Sequence, residues 1–183
     1  MPMATIEQRL TGHPGGGPAP RIMSLLVKPA SALCNLGCEY CFYLDREADP
    51  YEHAPGRVMN LDTLERLVDG YLFYSYPASA ISFQGGEPTL AGLRFFENLV
   101  GFQQRYGRDG QAISNSIQTN GILLDEAWCE LLREYHFLVG LSLDGPEDVH
   151  DRYRVSRAGH GSWAQVMRTA ELLQRRKVEF NVL

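Results

Sequence analysis

The sequence predicts an α/β protein whose strands form one parallel sheet, as in an α/β barrel that is cut short. Two observations lead to this fold class. Short apolar runs typical of strands alternate with longer stretches of helical periodicity along most of the 183 residues. The lengths of these elements suit right-handed crossovers between parallel strands.

Five apolar runs are typical of strands. The first contains Leu25, Leu26 and Val27 in succession, which indicates a strand buried on both faces. Pro29 ends this run, and the next segment begins a polar loop. The predicted strands cover residues 22–28, 80–83, 112–118, 137–143 and 178–183.

Four stretches between these strands have helical periodicity. Asn60 is the expected N-cap of the first helix, and the second helix begins near Ala91. The third helix contains Cys129 among apolar residues at helical spacing, so this thiol is expected to pack in the core. Ser162 is expected to open the fourth helix in a capping box with Gln165.

The two ends of the chain carry separate predictions. Residues 1–21 are rich in glycine and proline, which predicts a flexible leader. Residues 22–183 are enough for one domain with its own core. The last predicted strand would expose an apolar edge, which native chains usually cover, so we expect a domain truncated after about four and a half βα units.

Composition and charge narrow the class of partner. The formal net charge is −5 and no basic block stands out, which argues against nucleic acid or an anionic membrane as a main partner. The sequence has no long apolar span and no signal sequence, so we expect a cytoplasmic protein. None of the five histidines shows the pairing typical of a metal site, and we expect them to be non-catalytic.

Three cysteines lie within eight positions after the first predicted strand, at Cys34, Cys38 and Cys41. Thiolates at two- and three-residue separations are typical ligands of iron–sulfur clusters, because one loop can then wrap around one cluster. Three ligands on a four-iron cluster leave one iron open to another molecule. The alternative is half of a zinc site, for which a second cysteine–histidine cluster is missing from the sequence.

These residues carry a resemblance to a known family. The C-x3-C-x2-C motif and the Gly-Gly-Glu-Pro phrase at 85–88 resemble the radical S-adenosylmethionine (radical SAM) enzymes. The chain is more closely similar to the anaerobic sulfatase-maturating enzymes, through FQGGEPTL at 83–90, QTNG at 118–121 and LSLDGP at 141–146. The resemblance extends from about Leu26 to Leu183.

The resemblance implies a fold, two cofactors and a reaction. The fold would be a partial parallel (β/α)6 TIM-like barrel, followed in the family by a region with further cysteines for auxiliary clusters. The cofactors would be a [4Fe-4S] cluster and S-adenosyl-L-methionine, which together yield a 5′-deoxyadenosyl radical. The reaction would oxidise a cysteine or serine of a sulfatase to Cα-formylglycine. The family's proton acceptor would lie beyond Leu183, so the catalytic residue stays unknown, and we expect this chain to bind cluster and cofactor without completing the turnover.

The same resemblance implies how the cluster and the methionine end of S-adenosylmethionine are held. Cys34, Cys38 and Cys41 would ligate the cluster. The turn of Gly85, Gly86 and Glu87 would hold the amino group, and two adjacent glycines also allow close approach of backbone to a ligand. Arg154 would pair with the carboxylate, for which a guanidinium fork is suited.

Other residues at the same predicted rim would contact the rest of the cofactor and the substrate. Ser142 would bond the ribose, and Tyr40 would lie against the adenine. Tyr43, just beyond the cysteine loop, is expected to face the substrate. The amides that could donate and accept at this rim are Gln84, Gln118 and Asn120.

The expected partners are a peptide or unfolded sulfatase as substrate and a reductant such as flavodoxin or ferredoxin. Two other functions remain open from the sequence, besides that of a zinc protein of unknown task. A related radical SAM enzyme could form a thioether or carbon–carbon crosslink in a different peptide. A non-catalytic iron–sulfur module would have no affinity for S-adenosylmethionine, and it gives no reason for the Gly-Gly-Glu turn or for Arg154.

Overall fold

The strands form a single parallel sheet, and they lie in it in their order along the chain. The computed structural model describes residues 24–43 and 58–183. Every neighbouring pair of strands is parallel, as short crossovers through helices require. The strands are β1 (Leu25–Val27), β2 (Ala78–Phe83), β3 (Ala112–Thr119), β4 (Leu138–Leu141) and β5 (Phe180–Val182).

Helices connect successive strands and supply most of the core. A 3-10 turn over Pro88–Ala91 precedes the helix that begins at Leu93. The helices are α1 (Leu61–Ser75), α2 (Leu93–Tyr106), α3 (Glu126–Glu134), α4 (Glu147–Tyr153) and α5 (Trp163–Arg176). The predicted parallel α/β architecture is therefore confirmed, with four βα units and a fifth strand.

One face of the sheet packs against the helices. On this face Phe96 of α2 is fully buried, with its ring centroid 5.1 Å from that of Phe83 in β2 and 5.2 Å from that of Trp128 in α3. Edge-to-face aromatic packing of this kind joins two helices to the sheet. Cys129 is also fully buried here, as the sequence predicted.

The other face of the sheet is open in the described residues. Leu26, Ser82, Ser116 and Leu138 form one row across four strands. Leu26 is 53% exposed and Leu138 43% exposed. The prediction that the first strand is buried on both faces is therefore wrong, because helices cover only one side of this sheet.

The first residues of two helices test the capping motifs predicted from the sequence. Asn60 caps α1 as predicted, because its Oδ1 accepts a hydrogen bond from the Thr63 amide at 2.8 Å. The capping box predicted at Ser162 is wrong. The Ser162 hydroxyl bonds elsewhere, and Asp151 Oδ1 accepts instead from the amides of Ser162 and Trp163, at 2.8 and 2.7 Å.

Two further predictions concern the ends of the chain and membranes. The predicted leader, residues 1–21, lies outside the described residues. Within 24–43 and 58–183, none of the helices combines the length and apolar character that crossing a membrane requires.

Candidate functional site

The residues singled out in the sequence meet in one cavity at the carboxyl ends of the strands. This cavity has a volume of about 250 Å³. Every residue expected to contact cluster, cofactor or substrate lines it, although these residues come from five separate segments. The sequence did not single out Leu36, Phe42 and Thr119, which also line it. Parallel strands explain the convergence, because their carboxyl ends share one rim.

The turn after β2 is bonded to the segment that leads into the cysteine loop. The Gly86 amide donates to the Ser31 carbonyl at 2.8 Å, and the Glu87 amide donates to the Leu33 carbonyl at 2.7 Å. Gly85 has a φ of 131°, which only glycine adopts readily. A β-carbon on Gly86 would overlap the Leu33 carbonyl oxygen. The two glycines thus bring the turn against the protein's own backbone, a use that the sequence did not reveal.

Glu87 is 1% exposed, and protein donors surround its carboxylate. Oε1 accepts from the amide and the hydroxyl of Thr89, at 3.0 and 2.6 Å, and from the Thr119 hydroxyl at 2.8 Å. Oε2 accepts from the Asn120 amide at 2.8 Å. Burial raises the pKa of Glu87, and these four hydrogen bonds oppose that rise. The carboxylate therefore ties the turn after β2 to the end of β3, and Oε2 accepts fewer of these bonds than Oε1.

The three thiols of the cysteine loop share the cavity wall, and none forms a disulfide. Cys38 is 9% exposed, while Cys34 and Cys41 are half-buried. Burial raises the pKa of Cys34 and of Cys38, and the Arg154 charge acts against the rise at Cys38. Metal coordination deprotonates a thiol outright and would overcome this shift.

The donor set fits a cluster. Among residues 24–43 and 58–183, no three His, Cys, Asp or Glu side chains converge as ligands of a single metal ion. A cubane takes one thiolate on each of three irons, so its ligands must line a common space rather than meet at a point. Cys34, Cys38 and Cys41 meet that requirement.

Two N–H groups point at the first of these sulfurs. The Leu36 amide lies 3.4 Å from Cys34 Sγ, and Asn120 Nδ2 lies 3.8 Å from it. Asn120 Nδ2 also donates to Asn35 Oδ1 at 2.8 Å. The end of β3 therefore holds the cysteine loop through a side chain as well as through Glu87.

A charged residue, Arg154, forms another part of the cavity wall. Arg154 Nε lies 2.9 Å from Asp144 Oδ1, and the Tyr40 hydroxyl donates to Asp144 Oδ2 at 2.6 Å. The Arg154 guanidinium carbon lies 5.4 Å from the centroid of the Tyr40 ring. Burial acts to raise the pKa of Asp144, but the bonds from Tyr40 and Arg154 outweigh it and lower that pKa. Burial and the bond to Asp144 raise the pKa of Tyr40.

Among the described residues, this arrangement leaves the outer edge of Arg154 without a hydrogen-bond partner. Asp144 pairs with Nε, and no described residue accepts a hydrogen bond from the Nη groups. The Tyr40 ring is 54% exposed, so it is a wall of the cavity and not a core residue. A guanidinium oriented through Nε presents its remaining N–H groups as a fork, which suits a carboxylate.

Residues with side-chain amide and hydroxyl groups also line the cavity. Gln118 Nε2 donates to Ser142 Oγ at 2.9 Å. The backbone of Gly140 permits this, because a β-carbon there would overlap the Gln118 side chain. Gln84 lines the same cavity, and its main-chain N–H donates to the Val27 carbonyl at 3.0 Å. Tyr43 lies at the edge, with Lys28 Nζ 5.2 Å from its ring centroid.

With this geometry in place, comparison with known proteins identifies the family. Residues 29–183 match the family model described as the radical SAM superfamily. The chain belongs to the radical SAM superfamily. The predicted fold is that of this family, so the resemblance drawn from the sequence is confirmed at the level of the superfamily and its fold.

Similar proteins refine the comparison. A cysteine-type anaerobic sulfatase-maturating enzyme of Clostridium perfringens is 45% identical over 161 residues, which are 88% of this chain and 43% of that protein. A serine-type anaerobic sulfatase-maturating enzyme of Bacteroides thetaiotaomicron is 40% identical over 167 residues, 91% of this chain and 40% of that protein. The solved structure of native anSMEcpe with bound AdoMet has a TM-score of 0.81 at 45% identity, over 88% of this chain and 44% of that one. The chain spans about two fifths of the length of these relatives.

In this radical SAM domain the segment from 144 to 162 clamps the cysteine loop from outside. The Gly37 amide donates to the Val155 carbonyl at 2.8 Å, and the Glu39 amide donates to the Tyr153 carbonyl at 2.9 Å. Arg157 Nε donates to the Cys34 carbonyl at 3.1 Å. This role was not apparent from the sequence, because no spacing rule connects residues more than a hundred positions apart.

Proposed function

We propose that this chain is the cofactor-binding part of an anaerobic sulfatase-maturating enzyme, which oxidises a cysteine or serine of a sulfatase to Cα-formylglycine. One observation carries the proposal. All the residues expected to bind cluster, S-adenosylmethionine and substrate line one cavity, in a chain 45% identical to such an enzyme. The proposed domain comprises residues 22–183, after a leader over residues 1–21.

The proposal gives each wall of the cavity a task. Cys34, Cys38 and Cys41 hold the cluster and leave one iron open. When bound, the reduced [4Fe-4S] cluster and S-adenosylmethionine together supply a 5′-deoxyadenosyl radical that removes hydrogen from the substrate. The chain's own residues bind and orient these groups.

Each of the remaining residues binds one part of S-adenosylmethionine, matched to it in charge or shape. The outer N–H groups of Arg154 take its carboxylate. Oε2 of Glu87, with the backbone of Gly85 and Gly86, faces its amino group. Ser142 bonds the ribose, supported by Gln84, Gln118 and Asn120. The Tyr40 ring lies against the adenine, and Tyr43 faces the substrate.

Two partners and a location complete the proposal. The substrate is a peptide or an unfolded sulfatase, and the solved structure of native anSMEcpe with bound AdoMet and Cp18Cys peptide supports this class of substrate. A reductant such as flavodoxin or ferredoxin supplies electrons. The cysteine loop needs a reducing compartment, so we place the protein in the cytoplasm. We propose neither nucleic acid nor membrane as a partner, given the net charge of −5 without a basic block.

The test uses the complete enzyme that contains this chain, loaded with its cluster, together with S-adenosylmethionine and a chemical reductant under anaerobic conditions. Two peptides carry the target sequence of a sulfatase and differ only in cysteine or serine at the modified position. We expect 5′-deoxyadenosine together with an aldehyde, trapped by a hydrazide and located by mass spectrometry, on at least one peptide. The Cys38→Ala variant should give neither product. Formation of 5′-deoxyadenosine without aldehyde on either peptide would exclude sulfatase maturation and leave the radical chemistry in place.

A further inference from the structure

A buried histidine lies behind the cavity wall formed by Asp144 and Arg154. His150 of α4 is fully buried, at 0% exposure. Both nitrogens of its ring have partners. The Asp144 amide lies 3.2 Å from Nδ1, and Ser162 Oγ lies 2.9 Å from Nε2. The ring thus stands between the backbone of Asp144 and the first residues of α5.

The hydrogen-bond pattern assigns one tautomer to His150. A backbone amide can only donate, so Nδ1 accepts from Asp144 and the ring proton is on Nε2. The Ser162 hydroxyl donates to the Arg154 carbonyl at 2.7 Å, which leaves Oγ to accept from Nε2. The result is one directional chain from the Asp144 amide through His150 and Ser162 to the Arg154 carbonyl.

Ser162, in the middle of this chain of hydrogen bonds, is anchored to the start of α5. Asp151 Oδ1 accepts from the Ser162 and Trp163 amides, which anchors Ser162 at the start of α5. A β-carbon on Gly161 would overlap the Asp151 carboxylate, so the glycine allows this carboxylate to approach the start of α5. The Arg154 amide also donates to the His150 carbonyl at 2.7 Å. Both residues of the ion pair are therefore bonded through their main chains to one buried scaffold.

We propose that His150 is a positioning residue for the S-adenosylmethionine site. It fixes the main chains of Asp144 and Arg154 relative to each other, so that Asp144 meets Nε and the outer edge of the guanidinium faces the cofactor's carboxylate. The inference rests on the proposed function, because it takes Arg154 as the partner of that carboxylate. A histidine that only filled the core would support the fold without affecting the cofactor.

Three substitutions each remove a different part of this chain of hydrogen bonds. In His150→Asn, the side-chain oxygen can stand where Nδ1 stood, which keeps the Asp144 bond and loses the Ser162 bond. In His150→Gln, the amide nitrogen can stand where Nε2 stood, which keeps Ser162 and loses Asp144. Ser162→Ala removes both hydrogen bonds of the hydroxyl, the one from His150 Nε2 and the one to the Arg154 carbonyl, and leaves the bond between His150 and the Asp144 amide. The control is His160→Asn, because His160 is exposed.

The affinity for S-adenosylmethionine is measured by titrating it into the reduced, cluster-loaded protein and following the paramagnetic resonance spectrum of the cluster. Each of the three variants should bind about tenfold more weakly, as expected for partners that orient a ligand-binding group. His160→Asn should bind as the wild type does. Variants that keep the full cluster and wild-type affinity would overturn the role of His150.

A second measurement needs no substitution and no cofactor. Nitrogen NMR of the cofactor-free wild type should show the neutral Nε2–H tautomer for His150. The Nδ1–H tautomer or an imidazolium at neutral pH would contradict the chain of bonds, even if the variants fail to fold. Failure of the proposed function has a different signature, since the wild type itself would then show no response to S-adenosylmethionine. That result would remove the cofactor role, while the tautomer would still report on the scaffold.

Discussion

Gly86 lies against Leu33 so closely that the two backbones leave no room for a side chain at position 86. The contact is reinforced by the hydrogen bonds from the Gly86 amide to Ser31 and from the Glu87 amide to Leu33. Leu33 immediately precedes Cys34, the first thiol of the loop. The turn after β2 therefore determines where the cysteine loop begins, independently of any cofactor.

Gly86→Ala should disrupt this contact. The added methyl group must displace the backbone of residues 32 and 33, so we expect a loss of about 1 to 3 kcal/mol in the free energy of unfolding. The matched control is Gly101→Ala in α2, where a β-carbon meets open space. That change should leave stability equal or raise it by up to about 1 kcal/mol. Urea unfolding measures both, and iron content after reconstitution should fall only in Gly86→Ala. Equal stability of the two variants would contradict the close contact.

Glu87→Gln should destabilise the rim by removing an acceptor. All four hydrogen-bond partners of the Glu87 carboxylate are donors, and an amide group brings donors of its own. At least one buried N–H or O–H loses its acceptor, at a cost of about 1 to 3 kcal/mol. Urea unfolding at neutral pH measures this cost. The exposed Glu97→Gln in α2 is the control and should change stability by less than about 0.5 kcal/mol. A Glu87→Gln protein as stable as that control would refute the structural role.

Asn120→Ala should lower the reduction potential of the cluster. Side-chain Nδ2 of Asn120 points at Cys34 Sγ from 3.8 Å, and such a dipole stabilises the extra electron of the reduced state. One weak hydrogen bond corresponds to a shift on the order of tens of millivolts for a one-electron couple. A redox titration followed by paramagnetic resonance measures the shift. Asn98→Ala, in α2 and outside the cavity, is the control. Identical potentials in both variants would exclude a contribution from Asn120.

His150 predicts part of the pH dependence of stability. Burial and the Arg154 charge lower its pKa, while Asp144 and Asp151 act in the opposite direction. The folded protein thus binds this proton more weakly than the unfolded chain. Neutral His150 makes its whole contribution to the free energy of unfolding above the pKa of the unfolded chain, about 6.5. This contribution is lost as the pH falls through that value toward the lower pKa of the folded protein.

His150→Asn should remove this part of the pH dependence. Between about pH 7 and pH 5, the free energy of unfolding should fall less steeply in the variant, by at most about 1.4 kcal/mol per pH unit. Urea unfolding at several pH values gives the two slopes. His160→Asn should keep the slope of the wild type. A wild-type slope in His150→Asn would show that His150 keeps its ordinary pKa in the folded protein.

Much of the fold was predictable from the sequence, because its signals are local. Apolar runs placed the five strands, and the Asn60 cap placed the first helix. The rim of the cavity was also predictable, since residues that follow parallel strands must meet at one edge. That rule alone places Gln84, Asn120 and Ser142 beside the cysteine loop.

The rest depends on contacts between distant segments. The seven-residue helix α4 has no apolar stripe, and its one buried residue is the polar His150. The Asp151 side chain accepts a hydrogen bond at the start of α5 from eleven residues earlier in the sequence, a separation that local capping motifs do not include. The backbone that makes Gly86 necessary belongs to residues 32 and 33, more than fifty positions away. Such requirements become visible only when the chain is folded.

The central claim is that this cavity holds a cluster with one open iron that S-adenosylmethionine occupies. The most direct measurement is the paramagnetic resonance spectrum of the anaerobically reconstituted, dithionite-reduced protein, with and without S-adenosylmethionine. We predict a [4Fe-4S]+ signal that changes when S-adenosylmethionine is added and that is absent in Cys38→Ala. A cluster signal indifferent to S-adenosylmethionine, in a folded sample, would contradict the claim and leave an iron–sulfur module without radical chemistry.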